Sequence, residues 1–175
     1  WRMIGEGEMP PDLGFRYVKA LEAHEPRLKQ QVAARYREFD NTKERMFQDE
    51  LSQMCSLLGD FLCEIFQYAS ACQLQERALM IDHNLFDNMS RRVAESTSRL
   101  ATTKYLMGDH ETAKSQHILS LGIYKQLAHK DPQAELDAAQ CLVEIAAISQ
   151  HSGDPNKAKT FCLSALRTYR KILGQ

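Results

Sequence analysis

Two stretches decide the fold: Leu106–Leu127, LMGDHETAKSQHILSLGIYKQL, and His151–Gly174, HSGDPNKAKTFCLSALRTYRKILG. Stacked on Gly108-Asp109 and Gly153-Asp154, they bring Ala113 over Ala158 and Ser120-Leu121 over Ala165-Leu166. A third segment, Phe66–Ala71 followed by Ala78-Leu79, falls into the same register with phenylalanine at the glycine position. The spacing from Ala71 to Ala113 is 42 residues, and from Ala113 to Ala158 it is 45. Upstream of each turn lies an aliphatic–small pair: Leu58-Gly59, Leu100-Ala101 and Ile145-Ala146. Agreement at several independent positions in one register is the signature of a repeat array.

The residue types explain the unit. Two antiparallel helices, A and B, meet where small side chains let their backbones approach, while the aliphatics fill the seam to the next unit. Gly108 and Gly153 suit the left-handed residue that ends a helix A. Asp109 and Asp154 then cap helix B, and Pro155 occupies a first-turn position where its missing N–H costs nothing. Asp131-Pro132 gives the same start signal to the third helix A. Phe66 predicts that the first turn is distorted or its helices differently joined. The register predicts burial of Leu58, Ala71, Leu79, Leu100, Ala113, Leu121, Ile145, Ala158 and Leu166.

Working outward to the N-terminus, Asn41 with Glu44 reads as a capping box opening a long helix. Leu51, Met54, Leu58, Phe61, Leu62 and Ile65 are expected on its buried face. Pro10-Pro11-Asp12 opens an earlier helix ending near His24, and Glu25-Pro26 separates it from a second reaching about Phe39. The expected organisation is a leader or the end of a preceding element at 1–10, N-terminal helices within 11–48, and three repeats over 49–173 (about 49–87, 91–129 and 132–173). At least seven helices and no sheet follow. The fold class is all-α, a short right-handed solenoid of antiparallel helix pairs with additional N-terminal helices.

Composition supports this class. Hydrophobic residues make up 43% and charged residues 26%, a globular balance, and 8 Gly with 5 Pro are few for a turn-rich β fold. The 22 basic and 23 acidic residues leave a formal charge of -1, which argues against a nucleic-acid partner. No apolar run approaches the roughly 20 residues of a membrane helix. Five cysteines, an odd number scattered through helical stretches, point to a reducing, cytoplasmic setting. An opening at Trp1 instead of Met suggests a piece of something longer.

The two quoted stretches resemble tetratricopeptide repeats, and the unit of about 42 residues is similar to the repeats of kinesin light chains and their relatives. The resemblance covers roughly residues 49–173. It implies a groove, lined by the A helices, that receives extended peptides or partner helices. In kinesin-light-chain-type repeats, helix A asparagines hold the peptide backbone; the matching positions here carry Ser56, Ser98 and Val143. The groove-facing offsets of the second repeat carry Thr97, Ser98, Lys104 and Tyr105.

No constellation points to catalysis. The six histidines (His24, His83, His110, His117, His129 and His151) show no zinc spacing, and surface histidines are expected. Cys55, Cys63, Cys72, Cys141 and Cys162 form no CxxC and read as small buried hydrophobes. Gly5-Glu6-Gly7 lacks the third glycine and following helix of a dinucleotide loop. The cations Lys157, Lys159, Arg167, Arg170 and Lys171 of the last helix match the preference of helix C-termini for positive charge. The expectation is therefore a protein-interaction scaffold with no catalytic residues, metal or cofactor. Its partner, a protein or peptide, would meet Ser98, Lys104 and Tyr105, with Arg91 and Arg92 extending a basic lip. The alternative is a structural section of a larger helical protein or complex with no ligand of its own; RNA binding ranks third.

Overall fold

A computed structural model describes residues 41–174. The leader expected at 1–10 and the helices expected within 11–39 lie outside the described residues. The chain divides into two compact units, 1–44 and 45–175, and the repeats lie in the second. Among the described residues there are six helices and no strand: α1 (Asn41–Glu64), α2 (Tyr68–Leu85), α3 (Arg91–Leu106), α4 (His110–Leu127), α5 (Pro132–His151) and α6 (Pro155–Leu173). They form three A/B pairs, α1/α2, α3/α4 and α5/α6, stacked as a short solenoid in which neighbouring helices pack together.

The three A-to-B turns share one hydrogen-bond pattern. Gly108 N–H donates to Tyr105 O (3.0 Å) and Asp109 N–H to Lys104 O (2.9 Å). Gly153 and Asp154 repeat these bonds to Gln150 (3.1 Å) and Ser149 (3.0 Å). Such paired bonds close a helix when the residue at the turn is left-handed, and Gly108 (φ 88°) and Gly153 (φ 77°) are. Phe66 does the same at φ 63°, its N–H on Cys63 O and that of Gln67 on Leu62 O. The first turn is therefore not distorted; the backbone geometry of the repeat overrides the residue. Asp109 and Asp154 cap α4 and α6 by accepting from Thr112 N–H (3.2 Å) and Lys157 N–H (3.0 Å). Gln67, at the same place before α2, supplies no side-chain cap.

Close helix approach occurs at the small positions. Ala71, Ala101, Ala113 and Ala146 are buried, and a Cβ on Gly59 would stand 2.7 Å from Gln75 Cγ. Between α3, α4, α5 and α6 the core is apolar, with Leu121, Tyr124, Leu142 and Ile145 at its centre. α1, α2 and α3 likewise bury apolar residues such as Leu62, Ile81 and Val93, but these helices also share a polar cluster. There the buried Asp82 accepts from Ser52 Oγ (2.6 Å) and Ser96 Oγ, with Arg92 Nη2 3.5 Å away. A buried carboxylate persists only with such partners.

Several burial expectations need correction. Leu58 and Leu79 are half-buried and Leu166 is exposed; the small residues before the latter two, Ala78 and Ala165, are the buried ones. On α1 the buried stripe is Ser52, Cys55, Gly59 and Leu62, whereas Met54 and Phe61 are exposed. Leu62 is buried as expected, but the rest of the stripe lies one residue off in phase, because polar Ser52 and small Gly59 carry no hydrophobic signal. His117 is fully buried rather than on the surface, and Cys162 is exposed rather than buried.

Candidate functional site

Helix α3 is the middle A helix, and its side chains reach both neighbouring A helices. Arg91, Ser98 and Tyr105 are spaced two turns apart, so they share the side turned to α5. Arg91 pairs with Asp131 (3.3 Å) and Asp137 (2.9 Å) across the gap, and with Glu95 (3.0 Å) on its own helix. Ser98 Oγ lies 3.4 Å from His117 Nδ1 and 3.8 Å from Cys141 Sγ. Tyr105 stands against His110 and His151, ring centroids 5.3 and 5.6 Å away, and the two imidazoles stack on each other at 6.0 Å.

The other two expected residues turn to the preceding pair. Arg92 bonds Asp49 of α1 (3.0 Å), approaches Asp82 and lies over the Phe86 ring at 5.6 Å. Lys104 pairs with Glu76 of α2 at 2.9 Å. That bond raises the pKa of Lys104 and lowers that of Glu76, keeping both charged. Thr97 is buried and returns its hydroxyl to Val93 O (2.7 Å), so its side chain lies inside the pair.

The surface of the A helices is thus an ion-paired lattice. Arg99 bonds Asp60 of α1, a residue that the sequence analysis did not single out. Asp49–Arg92, Asp60–Arg99 and Arg91–Asp131 are separated by 43, 39 and 40 residues respectively. Each separation is near one repeat period, a signal by which opposite charges on adjacent A helices could have been found. Burial, ahead of the effect of Arg91, raises the pKa of Glu95.

Chemically, the trio of Ser98, His117 and Cys141 is a packed seam. Burial lowers the His117 imidazole to about 4 and pushes the Cys141 thiol up to about 11, so both are neutral at pH 7. His117 Nε2 has no hydrogen-bond partner among the described residues. Of the five expected contact residues, Arg91, Ser98 and Tyr105 share one edge of α3, and Arg92 and Lys104 are held by carboxylates of the first pair.

Comparison with known proteins agrees with this architecture. Residues 138–175, covering most of α5 and all of α6, match the tetratricopeptide repeat family. No curated protein matches the sequence. Among solved structures, the crystal structure of BtubC (BKLC) from P. vanneervenii is similar, with a TM-score of 0.67 at 20% identity. The match covers 98% of this chain and 69% of that one. The chain is accordingly built of tetratricopeptide-like repeats, stacked as a helical solenoid.

Proposed function

We propose that this chain is a protein-binding module whose A helices, α1, α3 and α5, present a concave surface to a peptide or partner domain. The observation that carries the reading is the lattice of side chains joining α1 to α3 and α3 to α5. It fixes three A helices side by side as one polar surface to which every repeat contributes. On it, Ser98, Tyr105 and Arg91 form the contact edge, with Arg92 and Lys104 as its basic flank. Tyr105 is the anchor, a large contact with few rotamers to fix, of the kind that dominates interfaces.

Free cysteines, three of them buried, fit a reducing compartment such as the cytoplasm. Among the described residues no helix is long and apolar enough to cross a membrane. The reading assigns no catalytic residue and no cofactor. Exposed Leu163 and Leu166 on α6 favour the alternative of a section within a larger helical assembly.

The test is affinity capture with the wild-type chain, followed by titration of the captured partner against Tyr105→Ala. The expected result is at least tenfold weaker binding at an unchanged Tm. Unchanged affinity would overturn the assignment of this surface.

A further inference from the structure

The three B helices leave the same strip of surface open. On α4 it runs Glu111, Ser115, Ile118, Gly122 and Lys125, spaced alternately four and three residues, so all five lie on one face. All are exposed, while Ala113, His117, Leu121 and Tyr124 are buried on the side packed against α3 and α5. The matching positions, 42 residues earlier on α2 and 45 later on α6, are exposed as well. α4 has a repeat on either side of it, so the strip is open in the middle of the array and not only at its end.

Each strip holds one large apolar residue, Met80, Ile118 and Leu163, exposed by 59%, 49% and 45%. Each ends, in one register, on a residue of basic type: His83, Lys125 and Arg170. Helix C-termini favour such residues, but that preference does not account for exposed aliphatics on the same face. The cations of the A-helix surface, Arg91, Arg92, Arg99 and Lys104, are all held by carboxylates. Lys125, Arg167 and Arg170 have no carboxylate partner among the described residues. α6 contains no carboxylate, and α4 contains one, Glu111, at its other end.

We infer that these strips dock an extended acidic segment of a second protein partner, distinct from the one on the A helices. The apolar and basic positions form two ladders across the helices, one rung per repeat, so a chain crossing α4 and α6 meets each in turn. Successive side chains of an extended chain point to opposite sides. Carboxylates on one side then reach Lys125 and Arg170, while aliphatic neighbours on the other cover Ile118 and Leu163. Complementary charge and apolar burial act together. A nucleic acid fits less well, because the strips offer aliphatics where bases stack on aromatic rings. A bilayer also fits less well: the strips carry Glu76 and Glu111 and no Trp, Tyr or Phe to anchor at its interface.

The probe is a random peptide library displayed on phage, panned on the full chain and, in parallel, on its Lys125→Glu, Arg170→Glu variant. Peptides lost on the variant are expected to combine Asp or Glu with Leu, Ile or Val. The strongest of them, titrated by fluorescence anisotropy, is expected to bind at least tenfold more weakly to Lys125→Ala with Arg170→Ala, and to Ile118→Ser with Leu163→Ser. All four positions are exposed, so an unchanged helical circular dichroism signal and Tm are expected. Tyr105→Ala leaves the peptide's affinity unaltered, which separates this face from the A-helix surface. A selection in which no acidic peptide depends on Lys125 and Arg170 overturns the inference. So does an affinity indifferent to Ile118→Ser with Leu163→Ser. Tighter binding of an RNA oligonucleotide or of phosphatidylserine vesicles through the same residues would overturn it in favour of a nucleic acid or a membrane.

Discussion

Phe66 holds, at φ 63°, a conformation that the other two A-to-B turns give to glycine. A left-handed residue with a Cβ costs roughly 1–2 kcal/mol, offset in part by the extra chain entropy that glycine loses on folding. Phe66 is 78% exposed, so its ring contributes little packing in return. Phe66→Gly should therefore stabilise the protein by about 1 kcal/mol in chemical denaturation; a loss of stability would show that the ring has a packing role. His117 gives a second residue-scale prediction. Its folded pKa, lowered by burial to about 4, lies below the ordinary imidazole value of 6.5. The unfolded chain thus binds the proton first. The contribution to stability is fully present above about pH 6.5 and is lost as the pH falls towards 4, amounting to roughly 3 kcal/mol. His117→Gln should flatten that part of the stability–pH profile. An equally steep fall in the variant would assign the acid sensitivity to other groups.

At the scale of the helices, equivalent positions are not energetically equivalent. Leu121 of α4 is 8% exposed, whereas its counterpart Leu166 of α6 is 42% exposed. Leu121→Ala should cost about 2–5 kcal/mol, and Leu166→Ala about 0.5 kcal/mol or less. Equal losses in thermal unfolding would mean that the face of α6 is covered in the free protein. This pair also shows what the sequence made legible. Gly108-Asp109 and Gly153-Asp154 announce both the turn and the cap, so the helix boundaries and the pairing could be read directly. The register also identified Ala71, Ala113 and Ala158 as close-approach positions. It could not tell that Leu166 lacks a neighbour, because a repeat pattern reports what a face is made for and not what covers it. On α1 the buried Ser52 and Gly59 hid the phase of the core from a reading based on apolar residues. His117 was misread because a histidine looks alike in sequence whether hydrated or enclosed. Of the expected site, the placement of all five residues on one helix was legible. Whether each faced α2, α5 or solvent depended on ion pairs such as Lys104–Glu76 that join different helices.

Over the whole array, charge is sorted by helix. α5 is acidic without a Lys or Arg, α6 is basic without a carboxylate, and α3 carries the arginines that reach the neighbouring A helices. The seams differ in kind as well: Asp82 and its partners join the first pair to the second, and an apolar cluster joins the second to the third. Asp82 is buried, so salt screens its seam little, and both seams hold the A helices in one row. The central claim is that this row is where a partner binds. Site-specific photocrosslinking tests it most directly, with the reactive side chain placed at Gln140 on α5 or, as the control, at exposed Leu119 on α4. The account predicts that the partner crosslinks from Gln140 and not from Leu119. Crosslinking from Leu119 alone would contradict it.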